Sequence, residues 1–168
     1  MDKNTIRENE AHPDKEIMEK FKNDMLRFGQ IEELEVHNFE SVMLLRCHIK
    51  KLPDGEIYES DDPILPILMN FNDEMCTFFS FCLVNPKTFK KDINKSVNYI
   101  NEILEYGKLY IDPDGDVNWK SSISLKSYTI EDIGVHLKSL LTAMIKLILI
   151  EMDLINLDDT DTSGEVNQ

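Results

Sequence analysis

NPKTFKKDINKSVNYINEILEYGKLYIDPDGDVNWKSSISLKSYTIEDIGVHLKSLLTAMIKLILI, residues 85–150, reads as helix, tight hairpin and helix, with each boundary marked. Asn85 is placed to cap the first helix, and Pro86 takes the first helical position, where its missing N–H costs nothing. Phe89, Ile93, Val97, Ile100, Ile103 and Leu104 recur at helical spacing, and Gly107 closes the run. Lys87, Lys90, Lys91 and Lys95 lie mostly off that stripe. They read as a solvated face, or as a contact for the chain's own acidic segments or an acidic partner.

Two short alternating strands flank the turn Asp112-Pro113-Asp114-Gly115-Asp116. Leu109 and Ile111 stand before it. After it, Val117, Trp119, Ser121, Ile123 and Leu125 share one face and alternate with Asn118, Lys120, Ser122, Ser124 and Lys126. That alternation marks a half-buried hairpin. Thr129 then caps a third helix, with Asp132 reaching back as in a capping box. From Leu140 to Ile150 this helix is apolar on nearly every side. A surface helix needs one apolar stripe, and a small single-layer sheet covers one side. A second chain or a ligand peptide is therefore expected on the other.

Upstream, residues 1–13 are polar and charged and form a flexible leader ending at Pro13. Asp14 caps a helix in which Ile17, Met18, Phe21, Met25, Leu26 and Phe28 recur at helical spacing, and Gly29 ends it. Residues 31–40 fit either the start of a strand or a continued helix. Val42 to Lys50 reads as a strand, and Leu52-Pro53-Asp54-Gly55-Glu56 as a turn. A return strand at Ile57-Tyr58 is interrupted by Asp61-Asp62-Pro63 and resumes from Ile64 to Phe71. Pro66 cannot donate a ladder hydrogen bond, which predicts a sheet edge or a bulge there. Met75 to Val84, with Phe78, Phe79, Phe81 and Leu83, reads as a central strand covered on both faces. Residues 153–168 are acidic, without lysine or arginine, and read as a disordered tail. Residues 14–152 then form a single α+β domain, an antiparallel sheet covered by helices in the order α-β-β-β-α-β-β-α.

The chain has 168 residues, 42% of them hydrophobic, and a net charge of −14. Such a charge repels phosphate backbones and anionic membrane surfaces, so neither nucleic acid nor membrane is an expected partner. The longest apolar stretch, Leu140 to Met152, is interrupted by Lys146 and Glu151 and is shorter than the roughly 20 residues that span a bilayer. The N-terminus has no apolar signal region. Cys47, Cys76 and Cys82 lack CxxC spacing and read as buried, reduced thiols. A soluble, cytoplasmic protein is the expectation.

No constellation for catalysis stands out. Asp112, Asp114 and Asp116 alternate like the opening of a calcium loop, but the positions that would need glycine and glutamate hold Val117 and Ile123. His12, His37, His48 and His136 are scattered without metal-ligand spacing. There is no glycine-rich phosphate loop and no nucleophile elbow. The reading is a non-enzyme with no catalytic, cofactor-binding or metal residues.

The run from Asn85 to Ile150, above all Gly107-Lys108-Leu109-Tyr110-Ile111-Asp112 and Gly115-Asp116-Val117, resembles the YbjN-like proteins and the fold of type III secretion chaperones. The resemblance covers about half the chain well and the rest in element order only. It implies a small, acidic, bacterial protein, often dimeric, that acts by binding and carries no catalytic residues. The expected function is a chaperone-like or regulatory module that binds a protein or peptide client as a homodimer. The alternative is a regulator or immunity-type protein that blocks one partner through its acidic surface. The residues expected at the partner or dimer contact are Trp119, Leu140, Met144 and Leu147.

Overall fold

The computed structural model describes residues 14–28, 31–37, 40–46, 64–72, 74–84 and 87–157. The leader, the turn at Leu52–Glu56, the strand at Ile57-Tyr58, the Asp61-Asp62-Pro63 interruption, Cys47, His12 and His48 lie outside them, as does the tail beyond Leu157. Three helices and an antiparallel sheet make an α+β fold, in the order α1 (Lys15–Leu26), β1 (Ile31–His37), β2 (Glu40–Arg46), β3 (Ile64–Phe71), β4 (Met75–Val84), α2 (Ile93–Ile103), β5 (Lys108–Ile111), β6 (Val117–Ser124) and α3 (Ile130–Glu151). The strands line up β1-β2-β3-β4-β6-β5. Among the described residues, four strands rather than three precede α2. The extra one is β1, in the segment the sequence left open. Its pairing with β2 decides the matter, from Ile31 opposite Leu45 to His37 opposite Glu40, with a bulge between Glu33 and Glu35.

Contacts divide the chain into two units, Met1–Ser80 with Ser122–Gly134, and Phe81–Ser121 with Val135–Gln168. In the first unit, the Asp14 carboxylate accepts from the Glu16 N–H at 2.9 Å and opens α1. The apolar stripe of that helix buries Met18, Phe21 and Met25. The Phe21 ring meets Phe71 edge-on at 6.0 Å, stacks on Phe78 at 5.9 Å and meets Tyr128 at 4.7 Å. A polar brace lies beside it. Lys20 donates to Asp24 at 2.9 Å and to the Tyr128 hydroxyl at 2.8 Å, and Tyr128 donates to Asp24 at 3.0 Å. The Lys20 ammonium holds the Asp24 carboxyl below its ordinary pKa, while burial pushes the Tyr128 phenol up.

Pro66 does not mark an edge, because β3 lies between β2 and β4. It stands opposite Leu44 on β2. The ladder to β4 runs from Phe71 opposite Cys76 to Leu68 opposite Phe79, and Ser80 Oγ donates to the Pro66 carbonyl at 3.0 Å. The proline thus sits beyond the pairs that would need its N–H. Nor is β4 covered on both faces. Cys76, Phe78 and Ser80 are buried, Met75, Thr77 and Phe79 are half-buried, and Phe81 is exposed.

In the second unit, α2 starts later than Asn85-Pro86 predicts. Its cap is Asp92, whose carboxylate accepts from the Lys95 N–H at 3.0 Å. Residues 87–92 are not helical, although Phe89 is buried. The helix ends at Ile103 rather than at Gly107. Gly107 serves the next element instead. Its φ is +71°, and a Cβ there would lie 2.7 Å from Trp119 Cε2 and 2.8 Å from the Lys120 carbonyl. Only glycine lets the backbone cross the indole so closely. Asn101 of α2 then grips β5, donating to the Leu109 carbonyl at 2.9 Å and accepting from its N–H at 2.7 Å.

The β5–β6 hairpin forms at the expected turn, with Ile111 opposite Val117 and Lys108 opposite Lys120. Asp112 Oδ1 accepts from the N–H groups of Asp114 and Asp116 at 2.9 and 3.0 Å. The alternation on β6 has one exception, Asn118, which is buried. Its amide donates to Asp112 Oδ2 at 2.8 Å, and its oxygen accepts from the Cys82 N–H at 2.8 Å. That acceptor holds Cys82 in a left-handed conformation, φ +54°.

Candidate interaction surface on the third helix

The capping box that opens α3 is complete. Thr129 Oγ1 accepts from the Asp132 N–H at 3.1 Å, and Asp132 Oδ2 accepts from the Thr129 N–H at 2.6 Å. Glu131 and Asp132 put negative charge in the first turn, while the last turn has no basic residue to complement the helix dipole.

Within the second unit, α3 has two unlike sides. Leu137, Leu140, Ala143, Met144, Leu147 and Ile150 are buried. His136 is buried with them, and its Nδ1 lies 2.6 Å from Ser121 Oγ. Tyr106 packs at 4.7 Å from the His136 ring, and Ser139 Oγ donates to the Tyr106 carbonyl. On the other side Ile145 is 41% exposed and Met152 40%. Leu141, Ile148 and Leu149 are half-buried, and Lys138 is exposed. Residues at i, i+3, i+4 and i+7 of a helix share a face, so the buried and exposed sets form two separate stripes.

This division corrects the expected contact residues. Trp119, Leu140, Met144 and Leu147 are 0%, 0%, 6% and 1% exposed, all in the chain's own core. The apolar surface that α3 leaves to a partner is Leu141, Ile145, Ile148 and Leu149, continued by Met152 just past its end. By length and composition alone α3, longer than its Leu140–Met152 stretch, could cross a membrane. Half of its apolar window is nonetheless buried within the fold, as in a core helix.

Beside this face lies a groove of about 210 Å³, lined by Ile103, Leu104, Glu105, Val135, Lys138, Ser139 and Thr142. A second cavity, about 260 Å³, is lined by Lys90, Lys91 and Lys95, with Asp92, Asp153 and the apolar Ile150, Ile155 and Leu157. Lys91 pairs with Asp153 there. The lysine face of α2 and its approach thus meets an acid from the chain's own C-terminal segment, the first of its sharper readings. Asp153–Leu157, expected to begin the loose tail, includes the buried Leu157.

Among the described residues no three or more His, Cys, Asp or Glu side chains are placed to share a metal ion. Cys76 is buried, and burial raises its pKa well above the ordinary value. Cys82 departs from the expected burial. Its left-handed backbone breaks the strand alternation, leaving the thiol exposed 3.5 Å from Asp116 Oδ2. Partial desolvation and that carboxylate raise its pKa, which disfavours the nucleophilic thiolate. The side chain of Trp119 holds one feature no sequence pattern shows: its Nε1 is buried without a hydrogen-bond acceptor.

No family model matches this chain, and no curated protein does. The chain is similar to the crystal structure of an uncharacterized protein from Methanothermobacter thermautotrophicus, with a TM-score of 0.55 and 12% sequence identity over 83% of this chain and 99% of that one. At that identity the likeness shows the fold alone.

Proposed function

We propose that this chain is a non-enzymatic, chaperone-like or regulatory module that binds a protein or peptide client as a homodimer, with the outward side of α3 as its main contact. The observation that carries the reading is the second apolar stripe of α3, Leu141, Ile145, Ile148 and Leu149, continued by Met152 just past its end, which remains exposed or half-buried. Apolar surface collected on one helix face is characteristic of interaction sites. The resemblance of residues 85–150 to the YbjN-like proteins and type III secretion chaperones supports the same class of work. The charge of −14 keeps such a surface soluble and favours basic clients.

Light scattering over a dilution series tests this reading. The expected result is a dimer that Ile145→Glu converts to a folded monomer. A wild type that stays monomeric across the series overturns the homodimer. The same charge favours a second reading, in which the acidic surface covers a basic site on one partner. Affinity for such a partner would then fall steeply with salt and be insensitive to Ile145→Glu.

A further inference from the structure

We infer that the occupant of the outward α3 face is a second copy of this chain, with the two α3 helices packed antiparallel about a twofold axis between Ile145 and Ile148. The inference rests on the reading above that this face is a contact, and it specifies the partner and the register.

Leu141, Ile145, Ile148 and Met152 follow one another at intervals of four, three and four residues. That alternation is the seam of a two-helix coiled coil, with Ile145 and Met152 at one set of core positions and Leu141 and Ile148 at the other. The helix is 22 residues long; Leu141, Ile145 and Ile148 lie in its C-terminal half, and Met152 is the first residue past its end, its N–H still donating to the Ile148 carbonyl at 3.0 Å. The seam extends one step back to Lys138, which is exposed.

That lysine sets the direction. In a parallel pair it would face its own copy, two ammonium groups at one core layer. In the antiparallel pair Ile145 packs against Ile148 of the partner subunit, and Leu141 against Met152 of the partner subunit. Lys138 then lies level with residue 155, just past the C-terminal end of the partner's helix. There Glu151 is exposed and the helix's own last turn has no basic residue, while the carbonyls of Ile148, Leu149 and Ile150 already accept from backbone N–H groups. A cation at that end is favoured by the helix dipole and by the carboxylate. The same contact recurs at the other end by symmetry, as an isologous interface requires. One helix face thus supplies both apolar seam and charge complement.

Cysteine crosslinking tests the register, in a background with Cys47→Ser and Cys82→Ser. Like residues at 141, or at 152, lie about 16 Å apart along the axis in the antiparallel pair, from 1.5 Å per residue. A disulfide needs Cα atoms within about 7 Å. The expected result is that Leu141→Cys and Met152→Cys each fail to crosslink alone, while an equimolar mixture of the two oxidises to a covalent dimer. Lys138→Glu weakens the dimer about two- to fivefold, and adding Glu151→Lys restores it. Single variants that crosslink with themselves overturn the antiparallel register. So does a dimer by light scattering with no crosslink in either single variant or the mixture, which leaves the homodimer standing with another contact. A monomeric wild type overturns both proposals together.

Discussion

The two long sides of α3 are made from the same few residue types and have opposite fates. Leu140, Leu147 and Ile150 are within 1% of complete burial, while Ile145 and Met152 keep about 40% of their surface. Composition does not separate these sets; position on the helix does. The inward side is fixed by the chain's own core, including the buried Ser121–His136 contact. The outward side has lost part of its hydration without gaining a full set of neighbours, so it can gain further from a partner.

Charge on either side breaks the comparison if the assignment is wrong. Leu140→Glu should abolish cooperative unfolding or the fold itself, because it buries an unpaired carboxylate, and Leu140→Ala should cost about 2–5 kcal/mol in a denaturant titration. Ile145→Glu should leave protomer stability within about 0.5 kcal/mol, as for a surface position. Equal loss from both glutamates would mean that the outward stripe is core. Ser121→Ala comes next, at about 1–3 kcal/mol by the same titration, since the buried His136 Nδ1 loses its hydroxyl partner. Its effect belongs to the inward side, so the dimer's dependence on concentration should not change beyond that stability loss.

Asp24→Asn touches neither side of α3 and serves as a control, at about 1 kcal/mol near neutral pH. The folded-state pKa of Asp24 is lowered, first by the Lys20 hydrogen bond. Its contribution is therefore complete above the ordinary carboxylate pKa of about 4 and is lost as pH falls through the folded value. Thermal melts of wild type and variant should converge as pH drops from about 5 towards 3. The smallest effect concerns the outward side alone. Two copies carrying −14 each repel one another, so added salt should tighten the dimer by a few fold through screening. A dimer that loosens with salt would instead point to an interface dominated by attraction between charges.

Sequence legibility followed the range of the forces. The α3 capping box and the Asp112–Asp116 turn rest on contacts within a few residues, and both form where the residues indicate. The start of α2 is not legible in the sequence because Phe89 and Ile93 keep helical spacing across a segment that does not become helix, while Asp92, the real cap, lies between them. β1 was ambiguous because Ile31, Leu34 and Val36 suit either element, and only pairing with β2 decides. The contact surface was the least legible. An all-apolar run says that two sides need cover without saying which side the chain covers itself, and the bulky Trp119 and Leu140 went to the core.

The ends of the sheet bear on how this chain behaves when crowded. Among the described residues, one edge strand, β1, has a bulge and includes Glu32, Glu33 and Glu35 in its sequence; the other, β5, has four residues. A kinked, acidic border and a very short one make poor templates for a foreign strand. Copies forced together at high concentration would therefore meet through side chains that can let go, and not through a growing ladder of backbone bonds that seeds a fibril.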